Sequence, residues 1–536
     1  MKLGFPKTNP YRWFLSIISN PLVLIFIFYT LSFGLILLNS GIYWDGWVLF
    51  NAKPNIINQL FNELGSFWSH YFHNFIFSLP YPIFFYRLII FLSYLLTSFL
   101  LFDLLKTIRT INDNSRLTIT LLFALLPVNS ARISIINTPY AVCYFIFFLS
   151  LWLFVKYINN YKILYRLMSL FLFFISFATQ SLLVFYYAIL IPYLIYVNKS
   201  KKNLKSYIYV FLAKLDFLLL PIIFRLFKTI FLSPQASYSG YNQITQYGLI
   251  SAVTQTFTSF NLSFIEIISN SLMMKYSIII VLLCFISCLL FIKKQNKKIS
   301  NTYQSLKMFL TGCFIFYFGT YSYYVVGLSP NRYDWNSRHQ LLTPLGACFM
   351  LYFGIEYLLL KLKINKIEIR TAIFLSLLLL FTYTNIFTYF SYLKDWYKQK
   401  AIMRSIIVNN DIKTHSTFLI NDQTQYLNVN DRKYRFYEYA GIFKHVYGDE
   451  TRFAINKNEY FIEKGFATYR PFFNKLSNLS NYVEKSPEYE IIILPGKEAF
   501  STKNTLQLLL LDLTSKELFN QRIINFITIN TVSLKV

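Results

Sequence analysis

The sequence predicts an α-helical polytopic membrane protein with about eleven transmembrane helices and a C-terminal mixed α/β domain outside the membrane. Three observations carry that prediction. Apolar residues make up 55% of the 536 positions and charged residues 14%, a balance that no water-soluble globular chain shows. Apolar runs such as Pro21 to Leu38 approach the roughly 20 residues that cross a hydrocarbon core. Basic residues collect in every second gap between those runs, the pattern of cytoplasmic loops.

The spans read at about 20–39, 81–105, 117–133, 138–157, 163–178, 180–197, 207–231, 274–292, 306–327, 340–360 and 370–392. Lys2, Lys7 and Arg12 precede the first, and no small-residue cleavage motif follows it, so it reads as a retained signal-anchor. The basic gaps carry Lys106, Arg109 and Arg116, then Lys156, Lys162 and Arg166, then Lys199, Lys201, Lys202 and Lys205. Lys293, Lys294, Lys297 and Lys298 follow, and finally Lys361, Lys363, Lys366 and Arg370. The intervening gaps hold mainly Lys53, Arg132, Arg332 and Arg338. This alternation places the N-terminus in the cytoplasm of a plasma (inner) membrane protein and, with an odd number of spans, everything after about residue 393 outside.

The net charge of +27 does not indicate nucleic acid. Nucleic-acid binding needs one contiguous basic face, and here the cations are distributed over many short gaps. Cys143, Cys284, Cys288, Cys313 and Cys348 lie in or at the ends of apolar spans, where they read as packing residues and not as a disulfide framework or metal site.

Two domains are expected: a transmembrane domain over 1–393 and an extracytoplasmic α/β domain over 394–536. Within the first, residues 55–73 alternate Ile, Leu, Phe, Trp and Tyr with Asn, Gln, Glu63 and His70 at helical spacing. They predict one amphipathic helix whose aromatic face suits the membrane interface. Residues 232–273 are rich in Ser, Thr, Gln and Tyr and too long for a simple connection, so they predict a lid or re-entrant segment. In the C-terminal domain STFLIND, EYEIIILPG, LQLLLLDL and INFITINTVSLKV predict strands, and RKYRFYEYAGIFKHV a helix.

Asp45 stands just after the first span, between Trp44 and Trp47. A carboxylate shielded there is able to act as a general base on a hydroxyl; the plainer reading is a polar residue that ends a helix. Arg132, Arg332, Arg338 and His339 share the outer side, where basic residues are scarce. Arginines there grip phosphate oxygens through paired hydrogen bonds, or else snorkel to headgroups and pair with Asp334. His339 is a candidate to neutralise a departing phosphate. Accessory candidates are Glu63, His70, Glu266 and Arg87, the last near the outer end of the second span, where burial requires a cavity or a partner. His70 and His73 lie three apart on the predicted helix with no Cys beside them, which favours polar-face histidines over a metal site. Walker A, dinucleotide-turn and HExxH motifs do not occur. Acids near a membrane midplane are almost absent, which argues against ion-coupled transport.

With Trp44-Asp45-Gly46 in the first outer loop, amphipathic residues 55–73 behind it, a mobile-loop candidate at 232–273 and a terminal domain, the layout resembles the GT-C superfamily of membrane glycosyltransferases. The resemblance covers the whole chain in architecture and rests on few residues. It implies a sugar donor linked to a polyprenyl phosphate, an acceptor that is a cell-envelope glycan, lipid or protein, and transfer at the outer face. By the same resemblance Asp45 serves the acceptor hydroxyl, and Arg132, Arg332, Arg338 and His339 hold the lipid phosphate. The superfamily often pairs acids in the first loop, whereas Asp45 is followed by Gly46, so the base and a divalent metal cofactor stay open. Two other readings remain: a transporter or flippase of lipid-linked or polymeric glycan, and a non-catalytic envelope-assembly component.

Overall fold

The computed structural model describes residues 20–198, 204–240, 243–244, 246–291, 301–329, 335–364, 366–473 and 475–534. Of the sequence-derived features, Lys2, Lys7, Arg12, Lys199, Lys201, Lys202, the lysines at 293–298, Arg332 and Asp334 lie outside the described residues.

The chain is mainly helical. α1 spans Pro21–Phe33, α2 Pro54–Glu63, α3 Phe67–Phe77, α4 Pro82–Leu104, α5 Asp113–Leu125, α6 Thr138–Asn160, α7 Ile163–Ser176 and α8 Ser181–Val197. α9 spans Leu204–Leu212, α10 Leu215–Phe231, α11 Gln246–Phe260, α12 Glu266–Met273, α13 Ser277–Phe291, α14 Thr302–Tyr324, α15 Thr343–Lys361 and α16 Ile367–Ile407. Proline occupies the first turn of α1, α2, α4, α6 and α15, where its missing N–H costs nothing. Asn20 and Asn112 cap α1 and α5 through their side-chain oxygens, accepting from Leu22 N (2.9 Å) and Ser115 N (2.9 Å).

Among the described residues four helices are long and apolar enough to cross a membrane: α4 with its 3-10 extension, α6 with the turn before it, α15 and α16. The bent pair Ser251–Met273 and Ser277–Cys288, folded by 95°, raises the number to five if it counts as one crossing. That is fewer than the eleven expected from apolar runs. For several of them the reason is length: α5 has 13 residues and α7 has 14, reaching about 20 Å at 1.5 Å per residue against a core of about 30 Å, whereas α14, with 23 residues, is long enough but not apolar enough. Apolar side chains nevertheless face outward along whole helices, as Leu164, Leu167, Met168 and Phe171 do on α7 and Ile222, Ile223, Leu226 and Ile230 on α10. Such surfaces belong in lipid.

α14 and α15 cross in close contact. A Cβ on Gly346 would meet the Phe316 backbone N at 2.3 Å, and one on Gly312 the Met350 N at 2.9 Å. Small residues at such crossings let the backbones approach.

α16 is continuous for 41 residues, about 60 Å and twice a bilayer core. The expected boundary at residue 393 therefore falls inside a helix, and its second half projects as the spine of the terminal domain. β1 (Thr417–Asp422), β2 (Phe453–Asn456), β3 (Tyr489–Pro495) and β4 (Ile527–Ser533) form a sheet in the order β2-β1-β3-β4. β1 pairs parallel with β2 and β3, and β4 closes the edge antiparallel to β3. α17 (Phe436–Tyr447), α18 (Thr502–Thr514) and α19 (Lys516–Ile523) complete the domain. LQLLLLDL, expected as a strand, lies in α18. Ser501 caps it by accepting from Asn504 N (3.2 Å), and Leu508 and Leu509 go inward while Leu506, Leu510 and Leu513 stay exposed.

Candidate functional site

The predicted single helix over 55–73 is broken. Gly65 sits at φ +66°, and a Cβ there would meet the Leu232 carbonyl oxygen at 2.1 Å, so the chain turns between α2 and α3 under the 232–240 segment. The break resets the helical phase, which buries His70 and exposes Tyr71, the reverse of one continuous amphipathic helix. His73 is fully buried, stacked on Phe61 at 4.9 Å, with Nδ1 2.7 Å from the Tyr86 hydroxyl. Burial pushes its imidazole down to about 3. Glu63 accepts from Gln59 Nε2 (2.9 Å) on its own helix, and its carbonyl accepts Gln235 N (2.8 Å).

The loop that carries Asp45 is held from three directions. Arg87 of α4 is fully buried, with Nε donating to the Asn39 carbonyl (3.1 Å) and Nη2 to that of Gly41. From α16, the Tyr392 carbonyl accepts the Tyr43 hydroxyl (2.6 Å), and Gln399 Oε1 accepts Trp47 Nε1 (3.1 Å). From α17, Glu438 Oε2 accepts the Trp44 backbone N–H (3.0 Å). Trp44 takes φ +49°, a left-handed conformation that is rare for a bulky residue and marks a constrained turn.

Asp45 is half-buried at this turn. Loss of water raises its carboxyl above the usual value, while the Tyr437 hydroxyl and the charges of Arg338 and Arg435 pull it back. Tyr437 and Arg435 belong to the terminal domain, so the surroundings of Asp45 are built from both parts of the chain. Sequence reading did not find either residue, because nothing local marks a tyrosine on a distant helix as a partner of the first loop.

Arg338 reaches the same place from the other side. It lies in a 3-10 segment, Trp335–Gln340, whose Ser337 hydroxyl accepts the Ala131 N–H (2.8 Å). Its guanidinium lies over the Trp335 ring (4.2 Å), and Trp335 packs on Trp44 at 5.4 Å. Two tryptophans therefore connect Asp45 to Arg338. Behind Arg338 opens a cavity of about 550 Å³, the size of small-molecule sites. Phe61, Trp68, Leu183, Ile222 and Phe318 make apolar walls, and Arg225, Lys228, Arg338 and His339 supply the basic groups. Arg225 and Lys228, three apart on α10, carry the one sequence signal that was overlooked: two cations on one face of an apolar run.

His339 is buried, with Nδ1 3.2 Å from the Ser329 carbonyl. A carbonyl only accepts, so Nδ1 carries the proton and Nε2 the lone pair. Burial first, and then the Arg338 charge, push the imidazole down to about 3. It is uncharged near neutral pH and offers hydrogen bonding, which leaves countercharge to the arginines and Lys228.

Arg132 is buried one layer deeper. Its guanidinium lies 4.5 Å from both the Phe33 and Tyr94 rings, and Nε donates to the Asn129 carbonyl (3.0 Å). It lines a small void that shares Tyr94, Asn129 and Leu341 with the large cavity. Glu266 follows a single π-helical turn, accepts from Asn261 Nδ2 (3.3 Å), and is absent from the cavity lining.

Among the described residues no three His, Cys, Asp or Glu side chains come together to hold a metal ion. The groups around Asp45 are a phenol and two guanidiniums, and Glu438 is committed to Arg432 and Trp44. That donor set does not suit a divalent cation. The chain matches no protein-family model and no curated protein.

Proposed function

We propose that the protein is a glycosyltransferase of GT-C type that moves a sugar from a polyprenyl-phosphate carrier to a cell-envelope acceptor. The observation that carries this reading is an apolar-walled cavity with Arg225, Lys228 and Arg338 on its lining and Asp45 just beyond the Trp44–Trp335 pair. Apolar walls with a basic lining match an isoprenoid chain that ends in phosphate. The basic gaps of the sequence support an N-terminus in the cytoplasm of the plasma membrane and a terminal domain outside it.

In the reaction the acceptor hydroxyl attacks the anomeric carbon and the carbon–oxygen bond to the carrier phosphate breaks. Asp45 takes the hydroxyl proton, and the phosphate leaves with its added charge facing the guanidinium of Arg338 and the cations of α10. Fixed charges beside apolar walls do this with little reorganisation of solvent. A transporter would need an open path between pseudo-symmetric halves, and among the described residues nothing in the helix arrangement favours one.

The test is transfer from a panel of polyprenyl-phosphate and polyprenyl-pyrophosphate sugars in membranes holding wild type, Asp45→Asn or Arg338→Gln. A roughly 10²- to 10⁴-fold fall is expected for Asp45→Asn, the range for a lost general base. Equal transfer by Asp45→Asn and wild type sinks the role of Asp45.

A further inference from the structure

Arg132 is a buried cation, 5% exposed, that forms no ion pair among the described residues. Nε donates to the Asn129 carbonyl at 3.0 Å, and the Phe33 and Tyr94 rings lie 4.5 Å away. Aromatic faces attract a cation without neutralising it, and a charge taken out of water without a counter-ion is costly. The void of about 20 Å³ that Arg132 lines is bounded by α4, α5, α6 and the chain around Gln340. Its polar lining is rich in donors. Gln340 Nε2 and the Tyr144 hydroxyl have no partner in the protein, and both side chains are at most 1% exposed. Gln340 Oε1 accepts from Ser263 Oγ (3.2 Å) and Thr343 Oγ1 (2.9 Å), which leaves the amide nitrogen as the free end. The Tyr94 hydroxyl accepts from Asn129 Nδ2 (3.2 Å), so its own proton remains to be donated. Among these lining residues the one unpartnered acceptor is Asn129 Oδ1.

We propose that this void is a binding site for a small monovalent anion of the halide class, held by Arg132, Gln340, Tyr144 and Tyr94. Two phenols, an amide nitrogen and a guanidinium share the space with one free carbonyl oxygen. A water molecule accepts two protons and must place two of its own, for which the lining offers a single free acceptor. An anion only accepts, and it brings the charge that Arg132 lacks. A space of about 10–15 Å³ holds one water-sized species, so the void admits a halide and is too small for a phosphate group. It shares Tyr94, Asn129 and Leu341 with the large cavity, which gives the ion a way in. Arg132 belongs to the 130–133 turn, and Gln340 ends the segment that carries Arg338 and His339. Ser337 already ties the two, accepting the Ala131 N–H at 2.8 Å and lying 3.1 Å from the Ser130 hydroxyl. The anion adds a second tie between them, which steadies Arg338 and His339 at the large cavity. The site stands whether or not the protein transfers a sugar.

The test is thermal unfolding of the full-length protein in nanodiscs of zwitterionic lipid, with sodium gluconate replaced stepwise by sodium chloride or bromide at fixed pH and ionic strength. Gluconate is too large for the void. Wild type is expected to gain a few degrees in chloride and in bromide, with a rise that saturates as a single site does. Tyr144→Phe keeps the ring and removes one donor, so its chloride midpoint is expected at a roughly tenfold higher concentration. In gluconate the same variant is expected to be at least as stable as wild type, because it no longer buries an unpartnered hydroxyl. Arg132→Gln is expected to lose the response; if it does not fold, Tyr144→Phe decides. Equal unfolding temperatures for wild type in chloride and gluconate overturn the proposal. A rise that never saturates, or that Tyr144→Phe leaves at the wild-type midpoint, overturns it too, since a general salt effect on the surface does that. A crystal grown in bromide gives the direct reading: an anomalous peak between Arg132 and Gln340 supports the site, and density there without anomalous signal is a water and sinks it.

Discussion

At the residue scale, His339 and His73 make the molecule sensitive to acid in a way that the sequence did not disclose. Both imidazoles are folded away from water, and each is pushed down to about 3. In the unfolded chain a histidine takes its proton near pH 6.5. Between those two values the unfolded state binds more protons, so acid favours unfolding. The stabilising contribution is whole above about pH 6.5 and drains away as pH falls toward about 3, at up to roughly 1.4 kcal/mol per pH unit for each group. His339→Gln keeps a hydrogen-bonding side chain of similar reach and cannot titrate. Thermal unfolding in nanodiscs from pH 7 to 4 is expected to show a shallower loss of stability in His339→Gln than in wild type. Identical slopes would mean that His339 is already charged in the fold. Two of the residues that the sequence marks as candidates, Arg338 and His339, line one cavity. Protonation was not legible in the sequence, because it follows from burial and from a carbonyl ten residues away.

Elements were legible where one periodicity ruled and misread where two applied. α4, α6, α15 and the first half of α16 answer to long apolar runs, and β1, β3 and β4 to short β-rich ones. The α18 stretch reads as a strand in sequence because eight residues with six leucines fit either period, and its Ser501 cap fixes it as a helix. β2 went unseen, since four residues, Phe453–Asn456, give too little alternation to notice. The single helix over 55–73 failed at Gly65, whose left-handed φ and contact with Leu232 come from packing with a segment far along the chain. The crossing of α14 and α15 belongs to the same class. Gly346→Leu places a side chain where the Phe316 backbone lies within 2.5 Å, so the helices must separate. A loss of about 1–3 kcal/mol or more is expected, read as a lower unfolding temperature in nanodiscs, whereas Gly327→Ala would be limited to the strain of its positive φ because nothing lies within 4 Å of its Cβ position.

For the molecule as a whole, the decisive connection is a chain of buried charges between α16 and the terminal domain. Asp395 of α16 pairs with Arg432 at 3.0 Å, Arg432 with Glu438 at 2.9 Å, and Glu438 reaches the Trp44 amide at 3.0 Å. Lys398, one turn along α16 from Asp395, pairs with Asp422 of β1 at 2.6 Å and also donates to the Thr424 carbonyl and Asn428. Their side chains are at most 5% exposed, so none is stabilised by water if its partner is lost. Such pairs add little net stability over an apolar core, yet removing one partner costs about 3–5 kcal/mol because it strands the other charge. Arg432→Gln strands both Asp395 and Glu438, and it takes away the cation lying 5.1 Å over the Trp44 ring. Its cost should fall on the junction and not on the helices far from it. Hydrogen exchange is therefore expected to speed up in residues 43–50 and in α17 together, while α14 and α15 keep wild-type protection. Exchange that rises in α17 and leaves the Asp45 loop unchanged would show that the loop holds its shape without the domain. Coordinated loosening would mean instead that the loop and the terminal domain fold as one unit, with Asp45 at their seam.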